Sequence, residues 1–126
     1  MQLLRSLTLL LALASPLAAQ AGRPVTSDDY FSLKSVGDPA LSPDGRQVVY
    51  TVTRIERAQN RRMTALWLVS TDAGAAPRQL TVSGVSSSAP RWSPDGKAIA
   101  FLSSRPTPGD SASARPQLYL LRTDGG

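Results

Sequence analysis

Apolar residues fall at alternate positions in two stretches, Val48, Tyr50 and Val52, then Ile99 and Phe101, each just behind a Ser-Pro-Asp-Gly sequence. A period of two marks a half-buried strand. In the second stretch Ala98, Ala100 and Leu102 make the other phase apolar too, so that strand is expected to be covered on both faces. Continuous apolar runs follow, Leu66 to Val69 and Leu118 to Leu121, each predicting a second strand that ends in a turn. Pro77 to Thr81 predicts a short outer strand with proline at its edge. Ser86-Ser87-Ser88 reads as loop, and Ala89 to Trp92 opens the next inner strand. Upstream, Thr26-Ser27-Asp28-Asp29-Tyr30-Phe31 is a capped start for a short helix reaching about Lys34, its two aspartates near the positive end of the dipole. Arg57 to Arg62 and Arg105 to Pro116 read as loops.

These stretches are a repeat. Pro39-Ala40-Leu41-Ser42-Pro43-Asp44-Gly45-Arg46 returns as Pro90-Arg91-Trp92-Ser93-Pro94-Asp95-Gly96-Lys97 at an offset of 51. Leu66-Trp67-Leu68-Val69-Ser70-Thr71-Asp72 returns as Leu118-Tyr119-Leu120-Leu121-Arg122-Thr123-Asp124 at an offset of 52, the slip falling in a loop, where insertion costs least. Ser42, Pro43, Asp44 and Gly45, with Ser93, Pro94, Asp95 and Gly96, are the expected structural turns. Proline presets φ, aspartate tolerates the third position, and glycine accepts positive φ at the fourth. About four short strands per period of this length is the pattern of a propeller blade. A β-sandwich has no reason to repeat its sequence. The expected fold is all-β: an incomplete β-propeller of about two partial blades over 37–126, after a lead with a short helix over 22–36.

Residues 1–21 read as an export signal: Arg5, an apolar run from Leu7 to Ala14, then Ser15-Pro16 and small residues. Ala19-Gln20-Ala21 places cleavage after Ala21, with Leu17-Ala18-Ala19 as a second site. The run is shorter than the roughly 20 residues of a membrane span, so the mature chain is expected in the periplasm or secreted, with no membrane association.

Composition then removes chemistry. The 126 residues carry 14 Lys+Arg against 9 Asp+Glu, a net charge of +5, and neither Cys nor His. No Ser-His-Asp or Cys-His set can be assembled from them, so this chain alone is not a catalyst. Structural zinc sites and disulfides are likewise excluded, and no metal, cofactor or catalytic residue is assigned. The basic charge clusters only at Arg57, Arg61 and Arg62, without interleaved aromatics, so no nucleic-acid partner is expected. Asp44 and Asp95 stand singly, not in the dense oxygen pattern of a calcium loop, and read as turn caps. Trp67 and Trp92 read as packing between blades rather than ligand platforms. Arg54 and Arg105, at matching strand ends, read as partners of carbonyls or an acidic neighbour.

The lead Asp-Asp-Tyr-Phe before the first unit, and the run from Ala89 through Phe101-Leu102-Ser103-Ser104-Arg105, resemble secreted serine peptidases of the prolyl oligopeptidase family, in their acylaminoacyl-peptidase and dipeptidyl-aminopeptidase-like branch. The resemblance spans about Thr26 to Gly126. It implies a propeller that admits peptides, not folded proteins, to a C-terminal α/β-hydrolase domain, whose serine sits in a Gly-x-Ser-x-Gly elbow. No such elbow occurs here, and Glu56, the lone glutamate, cannot supply the paired glutamates of dipeptidyl peptidases. Two units do not close a ring, so the chain is expected to be an N-terminal fragment whose partners are the missing hydrolase domain and, for the parent, peptide substrates. Ser-Pro-Asp-Gly units also resemble the Tol-system periplasmic propeller, which implies the alternative of a non-enzymatic protein-binding scaffold.

Overall fold

A computed structural model describes residues 22–82, 84–105 and 115–123. The expected signal and its cleavage point Ala21 lie outside the described residues, as does most of the stretch between Arg105 and Pro116. A helix, α1 (Ser27–Ser32), precedes β1 (Lys34–Leu41), β2 (Gln47–Glu56), a single 3-10 turn (Arg57–Gln59), β3 (Arg61–Ser70) and β4 (Arg78–Gln79). Then come β5 (Ser87–Trp92), β6 (Ala98–Ser103) and β7 (Gln117–Arg122). The first four strands form one sheet in the order β1-β2-β3-β4 and the last three another, β5-β6-β7. All pairings are antiparallel. The fold is all-β, laid out as two successive meanders of the kind that make propeller blades.

The sequence repeat is a repeat of register. Leu41↔Val48 and Ala40↔Val49 in the first sheet match Trp92↔Ile99 and Arg91↔Ala100 in the second. Tyr50↔Trp67 matches Phe101↔Tyr119. Even the irregularities coincide: β1 is bulged between Gly37 and Ala40, and β5 between Ser88 and Arg91. At each bulge one non-glycine residue takes positive φ, Asp38 at 45° and Ala89 at 52°. Aspartate tolerates that region; alanine is strained there by about 1–2 kcal/mol.

One face of each sheet makes the core. Val49, Leu66 and Leu68 from the first sheet cluster with Ile99 and Phe101 from the second, flanked by Ala40, Leu80, Trp92, Tyr119 and Leu121. Polar ties reinforce the contact. The Trp92 indole Nε1 donates to the Ala40 carbonyl at 3.0 Å, and the Thr64 amide donates to Ser86 Oγ at 3.1 Å. The outer faces are apolar as well. Val36 (70% exposed) and Leu41 lie with Tyr50, Val52 and Trp67 on one, and Leu118 (70%) and Leu120 (72%) with Leu102 on the other. A two-sheet sandwich turns polar residues outward, whereas blades carry apolar residues on both faces.

Several boundaries differ from the sequence expectations. The helix stops at Ser32 rather than Lys34, because Lys34 is already paired with Arg54 in the sheet; β1 thus starts ahead of residue 37. Arg61 and Arg62 lie in β3, not in a loop: β2 and β3 are zipped for ten residues each, down to Glu56↔Arg61. Asn60, at φ 45°, closes that hairpin. Ser87 and Ser88 belong to β5, since Ser87 pairs with Ser103 and their buried hydroxyls bond at 3.1 Å. β6 is covered on its inner face only, among the described residues, as Leu102 is exposed on the other.

The division of faces makes a stability prediction. Truncating fully buried Leu66 to Ala removes apolar contacts and leaves a cavity, so Leu66→Ala is expected to cost about 2–5 kcal/mol. Leu120→Ala, on the open face, is expected to stay within about 0.5 kcal/mol. Denaturant unfolding of both variants checks this; equal losses would contradict the assigned faces.

Candidate functional site

The two Ser-Pro-Asp-Gly turns are built atom for atom alike. The Ser42 amide donates to the Gln47 carbonyl at 2.8 Å and the Gly45 amide to the Ser42 carbonyl at 2.9 Å. Ser42 Oγ donates to Asp44 Oδ1 at 2.6 Å and accepts from the Gln47 amide at 2.9 Å, while Asp44 Oδ1 accepts from the Arg46 amide at 3.1 Å. In the second turn Ser93 Oγ donates to Asp95 Oδ1 at 2.5 Å and accepts from the Ala98 amide at 2.9 Å, and the Lys97 amide reaches Asp95 Oδ1 at 3.0 Å. Gly45 and Gly96 sit at φ 72° and 71°. Pro43 and Pro94 set the φ that leads into them.

A second clamp ties each turn to the far strand. The Thr71 amide and Oγ1 donate to the carbonyls of Arg46 and Gly45 at 2.9 and 3.1 Å. Thr123 repeats this on Lys97 and Gly96, at 3.0 and 3.2 Å. The two sequence blocks of the repeat therefore meet in space at one end of each sheet. Ser42 and Ser93 bond the neighbouring aspartates and so hold the Asp44 and Asp95 carboxyls below the ordinary range, helped by the backbone amides of Arg46 and Lys97. In each aspartate it is Oδ1 that the turn takes up.

The remaining singled-out side chains make local contacts away from the two turns. Arg54 faces Glu56 at 3.8 Å. The Arg105 guanidinium lies 5.0 Å from the centre of the Tyr119 ring. Arg57 pairs with Asp28 at 2.7 Å and covers the Phe31 ring at 4.9 Å, which fastens α1 to the end of the β2–β3 hairpin. Asp29 accepts from the Thr26 amide at 2.7 Å and pairs with Arg23, and the Arg23 contact, first, with Thr26 holds its carboxyl far below the usual range. Trp92 packs between the sheets; Trp67 lies on the outer face of the first. There, Tyr50, Val52, Met63, Trp67 and Val85 line a shallow cavity of about 270 Å³, with Lys34 and Arg54 at one end. Sequence reasoning missed this surface. Its signal is the alternation of Val48, Tyr50 and Val52 with the inward set, read across the Tyr50↔Trp67 pair.

Among the described residues no group of three or more acidic side chains is placed to hold a metal ion, and no helix is long and apolar enough to cross a membrane. The site offers an apolar sheet face and two rigid turns.

No family model matches the chain. It is 35% identical over 102 residues to the uncharacterized peptidase YuxL of Bacillus subtilis, an overlap of 81% of this chain and 14% of that protein. It is 34% identical over 92 residues to dipeptidyl-peptidase 5 of Porphyromonas gingivalis, covering 73% of this chain and 13% of the relative. With dipeptidyl-peptidase 5 of Porphyromonas endodontalis it shares 36% over 78 residues, or 62% of this chain and 11% of the relative. The chain thus spans a small part, 11–14%, of the length of the curated relatives it matches. It is a homologue of part of proteins named as peptidases.

Two predictions follow from the turns. Gly96→Val puts a β-branched residue at φ 71°, with its Cβ 3.6 Å from Pro43 Cδ, and is expected to lower stability by at least about 1–2 kcal/mol. An unchanged melting temperature would speak against the turn. The depressed Asp44 and Asp95 pKa values stabilise the fold above the ordinary aspartate value of 3.8, and that contribution is lost as pH falls through the lower folded values. A pH series of unfolding midpoints should therefore fall below pH 3.8, and fall less steeply in Asp44→Asn/Asp95→Asn. An equally steep acid limb in that variant would contradict the assigned role.

Proposed function

We propose that this chain is a segment of the substrate-gating propeller of an exported serine peptidase that hydrolyses short peptides. The observation that carries the reading is the likeness to a protein named as a peptidase, which runs through 102 residues, 81% of this chain. Two further relatives are named dipeptidyl-peptidases. The serine, aspartate and histidine of the reaction are supplied by an α/β-hydrolase domain outside these 126 residues, which hold no histidine. The signal-like start directs the protein to the periplasm or the medium.

The physical role of the segment follows from its construction. Paired turns and a shared register make each sheet a stiff plate, and plates stacked through their faces form a wall that does not yield to a folded protein. An extended peptide passes such a wall; a globular substrate does not. The segment acts by exclusion and contributes no reacting group.

The test uses the processed full-length protein that carries this segment, labelled in its native state with a fluorophosphonate probe. A labelled band at the parent's mass, together with cleavage of short peptides and sparing of folded proteins, is the expected outcome. A folded, processed preparation that never labels would sink the serine-peptidase reading and favour a binding scaffold.

A further inference from the structure

The basic cluster of the sequence, Arg57, Arg61 and Arg62, has no aromatic residue interleaved with it along the chain. The fold supplies two. Helix α1 lies against the end of the β2–β3 hairpin and brings Tyr30 and Phe31 there, their rings edge to face at 5.8 Å. With Ile55, Asn60, Arg61 and Arg62 these rings line a cavity of about 220 Å³. Its lining comes wholly from the stretch between Tyr30 and Arg62. It lies at the strand ends, away from the two apolar faces on which neighbouring sheets stack.

The charges in this corner do not balance. Arg57 is answered by Asp28 at 2.7 Å and held over Phe31. Glu56 faces Arg54 at 3.8 Å and also stands opposite Arg61 in the ladder, so one acid serves two arginines. Arg61 reaches the Gly84 carbonyl at 3.5 Å. The Arg62 guanidinium has no hydrogen-bond or ion-pair partner among the described residues. No carboxylate lines the cavity. The backbone that carries the two arginines is fixed by the last rungs of the hairpin, Ile55↔Arg62 and Glu56↔Arg61, and by the turn at Asn60.

We propose that this cavity binds an organic carboxylate that carries an aromatic or apolar group. The Arg61 and Arg62 guanidiniums hold the carboxylate through charge-assisted hydrogen bonds. Tyr30, Phe31 and Ile55 take the apolar part out of water. A bare inorganic anion would leave the rings idle, and a neutral apolar group would leave the arginines without a counter-charge. The carboxyl end of a peptide and a free aromatic acid share this chemistry. The inference does not rest on the peptidase reading.

Calorimetric titration of the processed full-length protein with 3-phenylpropionate tests it, since that probe has no peptide bond to cut. Saturable binding that weakens as salt is raised is expected. 3-Phenylpropionamide, which lacks the charge, and inorganic phosphate, which lacks the ring, should each bind about 10-fold more weakly or worse. Arg61→Gln/Arg62→Gln alters two exposed side chains, so the melting temperature should hold while affinity for 3-phenylpropionate falls about 10-fold or more. N-acetylphenylalanine binding more tightly than 3-phenylpropionate identifies a peptide end as the natural source of the group; weaker binding identifies a free acid. A wild type that does not bind 3-phenylpropionate overturns the proposal, as when another part of the protein fills the cavity. Binding that the double variant retains overturns it too, because the probe then sits elsewhere. So does phosphate bound as tightly as the aromatic acid. Should the double variant unfold, Arg62→Gln alone decides the matter. A protein that binds the probe but never labels with fluorophosphonate loses the serine-peptidase reading and keeps this site.

Discussion

Everything in this fold depends on the bond between a turn serine and the aspartate two residues on. Ser42 Oγ and Ser93 Oγ each link an aspartate carboxylate to the first amide of the following strand. That bond fixes where β2 and β6 begin, and thereby which of their residues face inward. A slip of a single residue would exchange the Val49 set for the Val48–Tyr50 set. Thr71 and Thr123 then carry the same alignment across to β3 and β7. Register is set at one end of each sheet and propagates down it.

From that alignment the packing follows. Inward residues of the two sheets meet as one core, and outward residues form two further apolar faces with complementary composition. A unit that is apolar on both sides is made to be stacked. Such a chain gains its stability from nearest neighbours, and the bulges at Asp38 and Ala89 show how closely successive units copy one another, even where alanine is strained.

Much of this was legible in the sequence, for identifiable reasons. The all-β class came from residues whose roles are local: proline for φ, glycine for positive φ, and apolar alternation for the strands. Strand ends were not legible. Arg61 and Arg62 read as loop because charged residues disfavour strands, yet cross-strand pairing with a partner already in register carries them into the ladder. Ser87 and Ser88 read as loop for a similar reason, and enter β5 because the buried hydroxyl of Ser103 answers that of Ser87. The open Tyr50–Trp67 face was hidden because a face is a property of two strands together. Of the functional reading, the peptidase kinship was carried by short motifs and is matched by relatives named as peptidases.

The most direct test of the blade arrangement is an experimental structure of the full-length protein that carries this segment. The two sheets should stand as neighbours in a ring, with Trp92 bonded to the Ala40 carbonyl between them and a further sheet against both the Tyr50–Trp67 and the Leu118–Leu120 faces. Two sheets closed on each other as a sandwich, with those apolar faces left in water, would contradict it.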